Sequence, residues 1–226
     1  TLRVRGGDTI RVAIANELDT PTNLHVHGLH VSPEGNGDNP FVSISPGESF
    51  DYEIVLPNDH PPGTFWYHPH HHGHVADQLA AGLYGAIVVE DPEPVPVSRE
   101  RTLVVSDITL DGTGNPAAAS PPEKMMGRQG EIVMVNGQVR PRATASPGER
   151  EQWRIVNACP SRYLRLTLDG QSLRLLGKDL GEGGVISPSV NTRQQKRAKV
   201  IFRLGFGKGL QPTERCDHGT AWVCAV

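Results

Sequence analysis

Nine of the ten histidines fall before residue 75, and four of them form two His-X-His pairs, His25-Val26-His27 and His68-Pro69-His70. Each pair lies in, or ends, a run with strand character. Residues i and i+2 of a β-strand project from one face, so each pair presents two imidazoles together. If the two segments converge, four rings line one cleft. Imidazole suits copper, zinc, iron and nickel, and intrinsic affinity peaks at Cu(II). No carboxylate is paired at the same spacing, which argues against calcium or magnesium. The bland alternative is a set of satisfied structural histidines. Two pairs in the same β context make a shared metal site the stronger expectation.

The flanking sequence predicts an all-β chain. Leu2–Arg5, Thr9–Asn16, Leu24–Leu29, Ser49–Leu56, Gly63–His68 and Gly85–Glu90 read as strands, several by apolar–polar alternation. Helical periodicity is weak and confined to Val75–Ala81. The 25 glycines and 19 prolines suit a fold with many turns. Residues 1–92 are expected to form a Greek-key β-sandwich or barrel. Alternate prolines in Asp91-Pro92-Glu93-Pro94-Val95-Pro96 cannot pair inside a sheet, so residues 93–100 are assigned as a linker. Residues 101–180 form a second segment, with strands at Thr102–Asp107, Ile132–Gly137 (ending in a turn), Trp153–Asn157 and Leu164–Gly170 and a loop over 111–130. Ser146-Pro147-Gly148-Glu149 repeats Ser45-Pro46-Gly47-Glu48, which points to two copies of one β-domain, the second partial. From 181 to 226 the charge balance turns from acidic to basic and alternation is poor outside Val200-Ile201-Phe202. That stretch is a solvated basic arm, a functional basic patch, or sequence not native to the fold.

A net charge of −3 offers no affinity for nucleic acid or an anionic membrane. No run approaches the ~18 apolar residues of a membrane span. The chain opens in mid-pattern at Thr1 and reads as a mature or cut product. Cys159, Cys216 and Cys224 are odd in number and show no CxxC spacing. They are expected to be a buried thiol and two others rather than a disulfide framework or zinc site.

Several stretches are similar to the laccase-like multicopper oxidases of bacterial type. Asn23-Leu24-His25-Val26-His27-Gly28-Leu29 resembles that family's first copper motif, and Gly63 through Gly73 the second. Gln78 through Asp91 resembles the close of its first cupredoxin domain, and Val135-Asn136-Gly137-Gln138 through Trp153-Arg154-Ile155-Val156-Asn157-Ala158 the opening of its second. The resemblance implies a cupredoxin-like Greek-key sandwich, one nearly complete domain and part of another, holding copper. By position, His25 would ligate a type 2 copper, and His27, His68 and His70 a type 3 pair. Asp38 resembles an acidic residue that helps deliver protons to oxygen, though a plain turn role is equally open. His72 matches a non-ligand histidine of bacterial members; His30, His60, His71 and His74 fit no ligand position.

The implied activity is one-electron oxidation of phenols, aromatic amines or metal ions, coupled to reduction of O2 to water, in a secreted or periplasmic setting. The family completes its cluster with four more histidines and a type 1 copper site from a further cupredoxin domain. Nothing here matches these; Cys216-Asp217-His218 is the nearest approach and lacks the first histidine. The expectation is that this chain supplies half of a cluster, completed by a second chain or homo-oligomer. The alternative is a copper-binding fragment or module without turnover.

Overall fold

The computed structural model describes residues 1–168 and 173–177, together with the backbone of short strands at 188–191, 200–203 and 221–223. The described chain is nearly all β, with two helices of six residues each. Its fold is the cupredoxin-like one that the sequence suggests.

The first unit contains β1 (Leu2–Val4), β2 (Thr9–Ala15), β3 (His25–His27), β4 (Ser49–Val55), β5 (Gly63–His68), α1 (Val75–Ala80) and β6 (Gly85–Val89). One sheet has the order β1-β6-β5-β3, and β2 pairs with β4 in the other. Alternation along β4 buries Tyr52 and Ile54 and leaves Asp51 and Glu53 outside. Those inward residues pack with Ile10, Val26, Ile44, Leu56, Phe65, Ile87 and Val89 in one core. β5 is buried at Thr64, Phe65 and Trp66, because its two faces serve different cores. Gly85 lies across from Tyr67, whose ring fills the space a Cβ there would take, so a larger residue would have to displace the tyrosine.

β3 is shorter than the sequence suggests. Leu24 gives its N–H to the Tyr52 hydroxyl at 3.0 Å instead of to a strand partner. Gly28, with φ of 84°, turns the chain away at the other end.

The second unit contains β7 (Arg99–Ile108), α2 (Pro121–Met126), β8 (Ile132–Val135), β9 (Arg150–Asn157), β10 (Leu164–Leu168), β11 (Leu173–Leu175), β12 (Pro188–Asn191), β13 (Val200–Arg203) and β14 (Ala221–Val223). The sheets run β11-β12-β9-β7-β8 and β13-β10-β14. Val105, Val135, Trp153, Ile155, Cys159, Leu164, Leu166 and Leu168 make its core. β7 begins at Arg99, earlier than the expected Thr102, because it runs parallel to β9 from Arg99↔Glu151 onward. Arg101 holds Glu151 through Nε at 2.8 Å and Nη2 at 2.9 Å along this ladder. Three short strands of the 181–226 stretch join these sheets by their backbones; the rest of that stretch, with Cys216, His218 and Cys224, lies outside the described residues.

The expected loop at 111–130 contains α2. Ser120 sits before it, and the Glu123 carboxylate accepts both the Ser120 N–H at 2.8 Å and its hydroxyl at 2.6 Å. Pro121 and Pro122 occupy the first turn, where no N–H partner is needed. The two Ser-Pro-Gly-Glu segments form the same turn. Glu48 N–H bonds Ser45 O at 3.0 Å, Glu149 N–H bonds Ser146 O at 3.1 Å, and Gly47 and Gly148 have φ of 81° and 86°. Proline followed by a left-handed glycine defines a type II turn.

The two units pack together behind β5. Trp66, Leu79 and Ala86 of the first meet Val156 and Ala158 of the second. Polar contacts flank this seam. Arg154 reaches Thr64 Oγ1 at 3.2 Å and Glu100 at 2.9 Å. Arg128, buried, pairs with Asp77 of α1 at 3.4 Å.

Candidate metal centre

Antiparallel pairing of β3 with β5 sets His25 opposite His68, Val26 opposite Tyr67 and His27 opposite Trp66. Val26, between the two histidines, points into the core at 2% exposure. Its neighbours therefore point to the other face, which is why alternation delivers both imidazoles to one place. The rings converge. Centroid separations are 5.7 Å for His25–His27, 5.4 Å for His25–His68, 5.3 Å for His25–His70, 5.8 Å for His27–His68 and 5.9 Å for His68–His70. One ring nitrogen from each of His25, His27 and His68 lies within 4.8 Å of the others. His70 borders this group, its ring beside those of His25 and His68. Trp66 forms the floor, stacked on His68 at 4.3 Å and tilted against His27 at 5.2 Å.

Proton positions on two of these rings follow from their partners. His25 Nδ1 is 3.0 Å from both carboxylate oxygens of Asp38. His68 Nδ1 is 2.9 Å from the Pro69 carbonyl oxygen. Carboxylates and carbonyls only accept, so Nδ1 carries the hydrogen in both rings. In the neutral ring, Nε2 then carries the free lone pair that binds a metal. His68 Nε2 is buried and has no hydrogen-bond partner. Burial pushes the His68 pKa down to about 4, against the pull of the Pro69 carbonyl and with help from His25, His27 and His70. A neutral, buried, partnerless nitrogen beside two more imidazoles is what a soft-to-borderline divalent cation needs, and the residues present fit copper.

Asp38 does more than turn the chain. It also accepts the Val26 N–H at 3.0 Å, so one carboxylate holds the backbone and the ring of adjacent residues. The loop presenting it closes through Asp38 N–H to Ser32 O at 2.9 Å and Asn39 Nδ2 to Gly35 O at 2.9 Å.

The remaining histidines are elsewhere. His60 is buried; its Nε2 accepts the His30 N–H at 3.0 Å and its Nδ1 donates to Pro61 O at 2.9 Å, so it braces a loop. His71 meets Ser43 at 2.9 Å and lies 5.5 Å from His74, and His72 is exposed. Residue types alone did not mark Asn23 and Gln78, which tie the site together. Gln78 accepts from Thr22 Oγ1 at 2.9 Å and donates to Pro21 O at 2.8 Å. Asn23 bridges the two histidine segments, accepting the His70 N–H at 2.7 Å. Among the described residues no helix is long and apolar enough to cross a membrane.

The fold and this histidine cluster define a cupredoxin-type copper protein. Residues 1–94 match the family profile described as multicopper oxidase. The chain is 30% identical over 211 residues to multicopper oxidase MmcO of Mycobacterium tuberculosis, covering 79% of this chain and 40% of that one. It is 32% identical to cell division protein FtsP of Yersinia pestis, covering 94% and 46%. A solved multicopper oxidase from Pseudomonas thermotolerans superposes with a TM-score of 0.75 at 32% identity, over 88% of this chain and 52% of that one. The chain is thus similar to part of the laccase-like multicopper oxidases, a family whose cofactor is copper, and its first 94 residues carry that family's profile. It spans less than half the length of the curated relatives it matches.

Proposed function

We propose that this chain is the part of a laccase-like multicopper oxidase that supplies half of an oxygen-reducing copper cluster. The observation that carries the proposal is the buried, partnerless Nε2 of His68 amid the rings of His25, His27 and His70. In this assignment His25 holds a type 2 copper, and His27, His68 and His70 serve a type 3 pair. Copper, when bound, supplies one-electron redox chemistry and a place for dioxygen. The protein's own contributions are otherwise. Asp38 and the Pro69 carbonyl fix two ring tautomers, and Trp66 walls one side against water. Asp38, mostly buried at the edge of the cluster, also holds or passes a proton as oxygen is reduced.

The reducing substrates fitting this family are phenols, aromatic amines or metal ions, and the setting is secreted or periplasmic. Residues 1–92 act as one cupredoxin domain, joined through a linker that ends where β7 begins at Arg99, two residues before the expected 93–100 linker does, to part of a second that runs to about 180. A partner chain or second copy completes the cluster.

A second assignment is a copper-binding module without turnover. It is favoured by the single cluster of three or more potential ligands found among the described residues.

Titration of the metal-free chain with Cu(II) against a chromogenic chelator tests the ligand assignment. Tight binding is expected in the parent and its loss in the double variant His68→Ala, His70→Ala; unchanged affinity there rejects the assignment. Oxygen consumption with a phenol separates the oxidase from the module.

A further inference from the structure

Three of the four histidines sit on paired strand residues, held by the β3–β5 ladder; His70 lies beyond its end. The register that sets His25 opposite His68 would, two positions on, set Asn23 opposite His70. The backbone does not make that rung. Pro69 has no N–H to give, and Leu24 turns its own to Tyr52. At the next position the Asn23 side chain stands in for a main-chain carbonyl: its Oδ1 accepts the His70 N–H at 2.7 Å. Its Nδ2 meanwhile donates to Val42 O at 3.2 Å. Asn23 is 3% exposed, so its carboxamide is held by the protein and not by water. Gln78 of α1 clamps the residues immediately before it, through Thr22 and Pro21.

We infer that Asn23 is a positioning residue for copper. Its carboxamide replaces a missing ladder rung and fixes the backbone of His70 relative to His25, and so sets the distance between the two His-X-His pairs. The inference rests on the copper assignment above. Without the acceptor, the His70 N–H loses its partner at a part-buried position, the segment shifts to satisfy it, and the ring leaves its place. Loss of an outer partner that orients a metal ligand typically weakens metal binding about 10–100-fold.

The test uses the full chain with Asn23→Leu, which matches asparagine in size but has no acceptor, and Asn23→Asp, which keeps the acceptor oxygen. Two readouts apply: His70 amide hydrogen exchange in the metal-free protein, and Cu(II) affinity by chelator competition. Asn23→Leu should accelerate exchange at His70 and weaken Cu(II) binding about 10–100-fold. Asn23→Asp should restore both toward the parent. If circular dichroism shows Asn23→Leu unfolded, Asn23→Ser, polar but too short to reach His70, carries the same expectations. Parent-like exchange or parent-like affinity in Asn23→Leu, or an Asn23→Asp variant as weak as Asn23→Leu, overturns the inference. His68→Ala, measured alongside, separates the two failures. If it abolishes binding while Asn23→Leu does not, only the role of Asn23 falls; if it too leaves affinity intact, the copper assignment falls with it.

Discussion

Asp38 grips His25 with both carboxylate oxygens, each 3.0 Å from Nδ1, and takes the Val26 N–H with one of them. Because the same group holds ring and backbone, the direction of His25 Nε2 is set before any metal arrives. Asp38→Ala should therefore free the ring to change tautomer and weaken Cu(II) binding about 10–100-fold. Nitrogen NMR of the His25 ring in metal-free protein reads the tautomer directly, and chelator competition reads the affinity. A parent-like ring and affinity in Asp38→Ala would show that the contact does not orient the ligand.

His68 gives the metal-free protein a defined acid sensitivity. Burial lowers its pKa to about 4, from 6.5. Between these values the unfolded chain binds a proton at this site and the folded chain does not, so acid favours unfolding. Stability is full above pH 6.5, declines as pH falls toward about 4, and loses nothing more from this group below that. The loss is on the order of 3 kcal/mol. Urea midpoints of metal-free parent and His68→Gln across this range should converge as pH falls; parallel curves would contradict the cause assigned.

In the second unit, buried Arg162 donates through Nε to buried Asp107 at 2.6 Å and through Nη2 to Gly130 O at 2.7 Å. Arg162→Met leaves the aspartate buried without a counter-charge and should cost about 3–5 kcal/mol. Adding Asp107→Leu should recover much of that loss, since replacing both partners removes the orphaned charge. Denaturant unfolding of the three variants gives the coupling; additive losses would mean that the pair does not act as a unit.

The site was legible in the sequence to the extent that it is local. The i, i+2 spacing of His25 with His27 and of His68 with His70 determines ring direction within each segment, and the structure adds the register that brings the segments together. The repeated Ser-Pro-Gly-Glu turn was equally local and equally visible. The α2 helix was missed although its signal was present: Ser120 and Glu123 make a capping pair, but the surrounding glycine, proline and alanine masked it. Contacts across loops left no local mark. Asp38 reaches His25 through a chain reversal, and Asn23 reaches His70 across 47 positions. The early start of β7 depends on parallel pairing with β9, which no pattern within β7 encodes.

The claim beneath all of this is that copper sits among the rings of His25, His27, His68 and His70 and not on His71, His72 and His74 of the segment that follows. Pulsed EPR of the chain loaded with one Cu(II) measures the imidazole nitrogens coupled to the metal. Several imidazole couplings are predicted for the parent, unchanged in the triple variant His71→Ala, His72→Ala, His74→Ala and diminished in His25→Ala and His68→Ala. A spectrum that survives loss of His25 and His68 and collapses in the triple variant would contradict it.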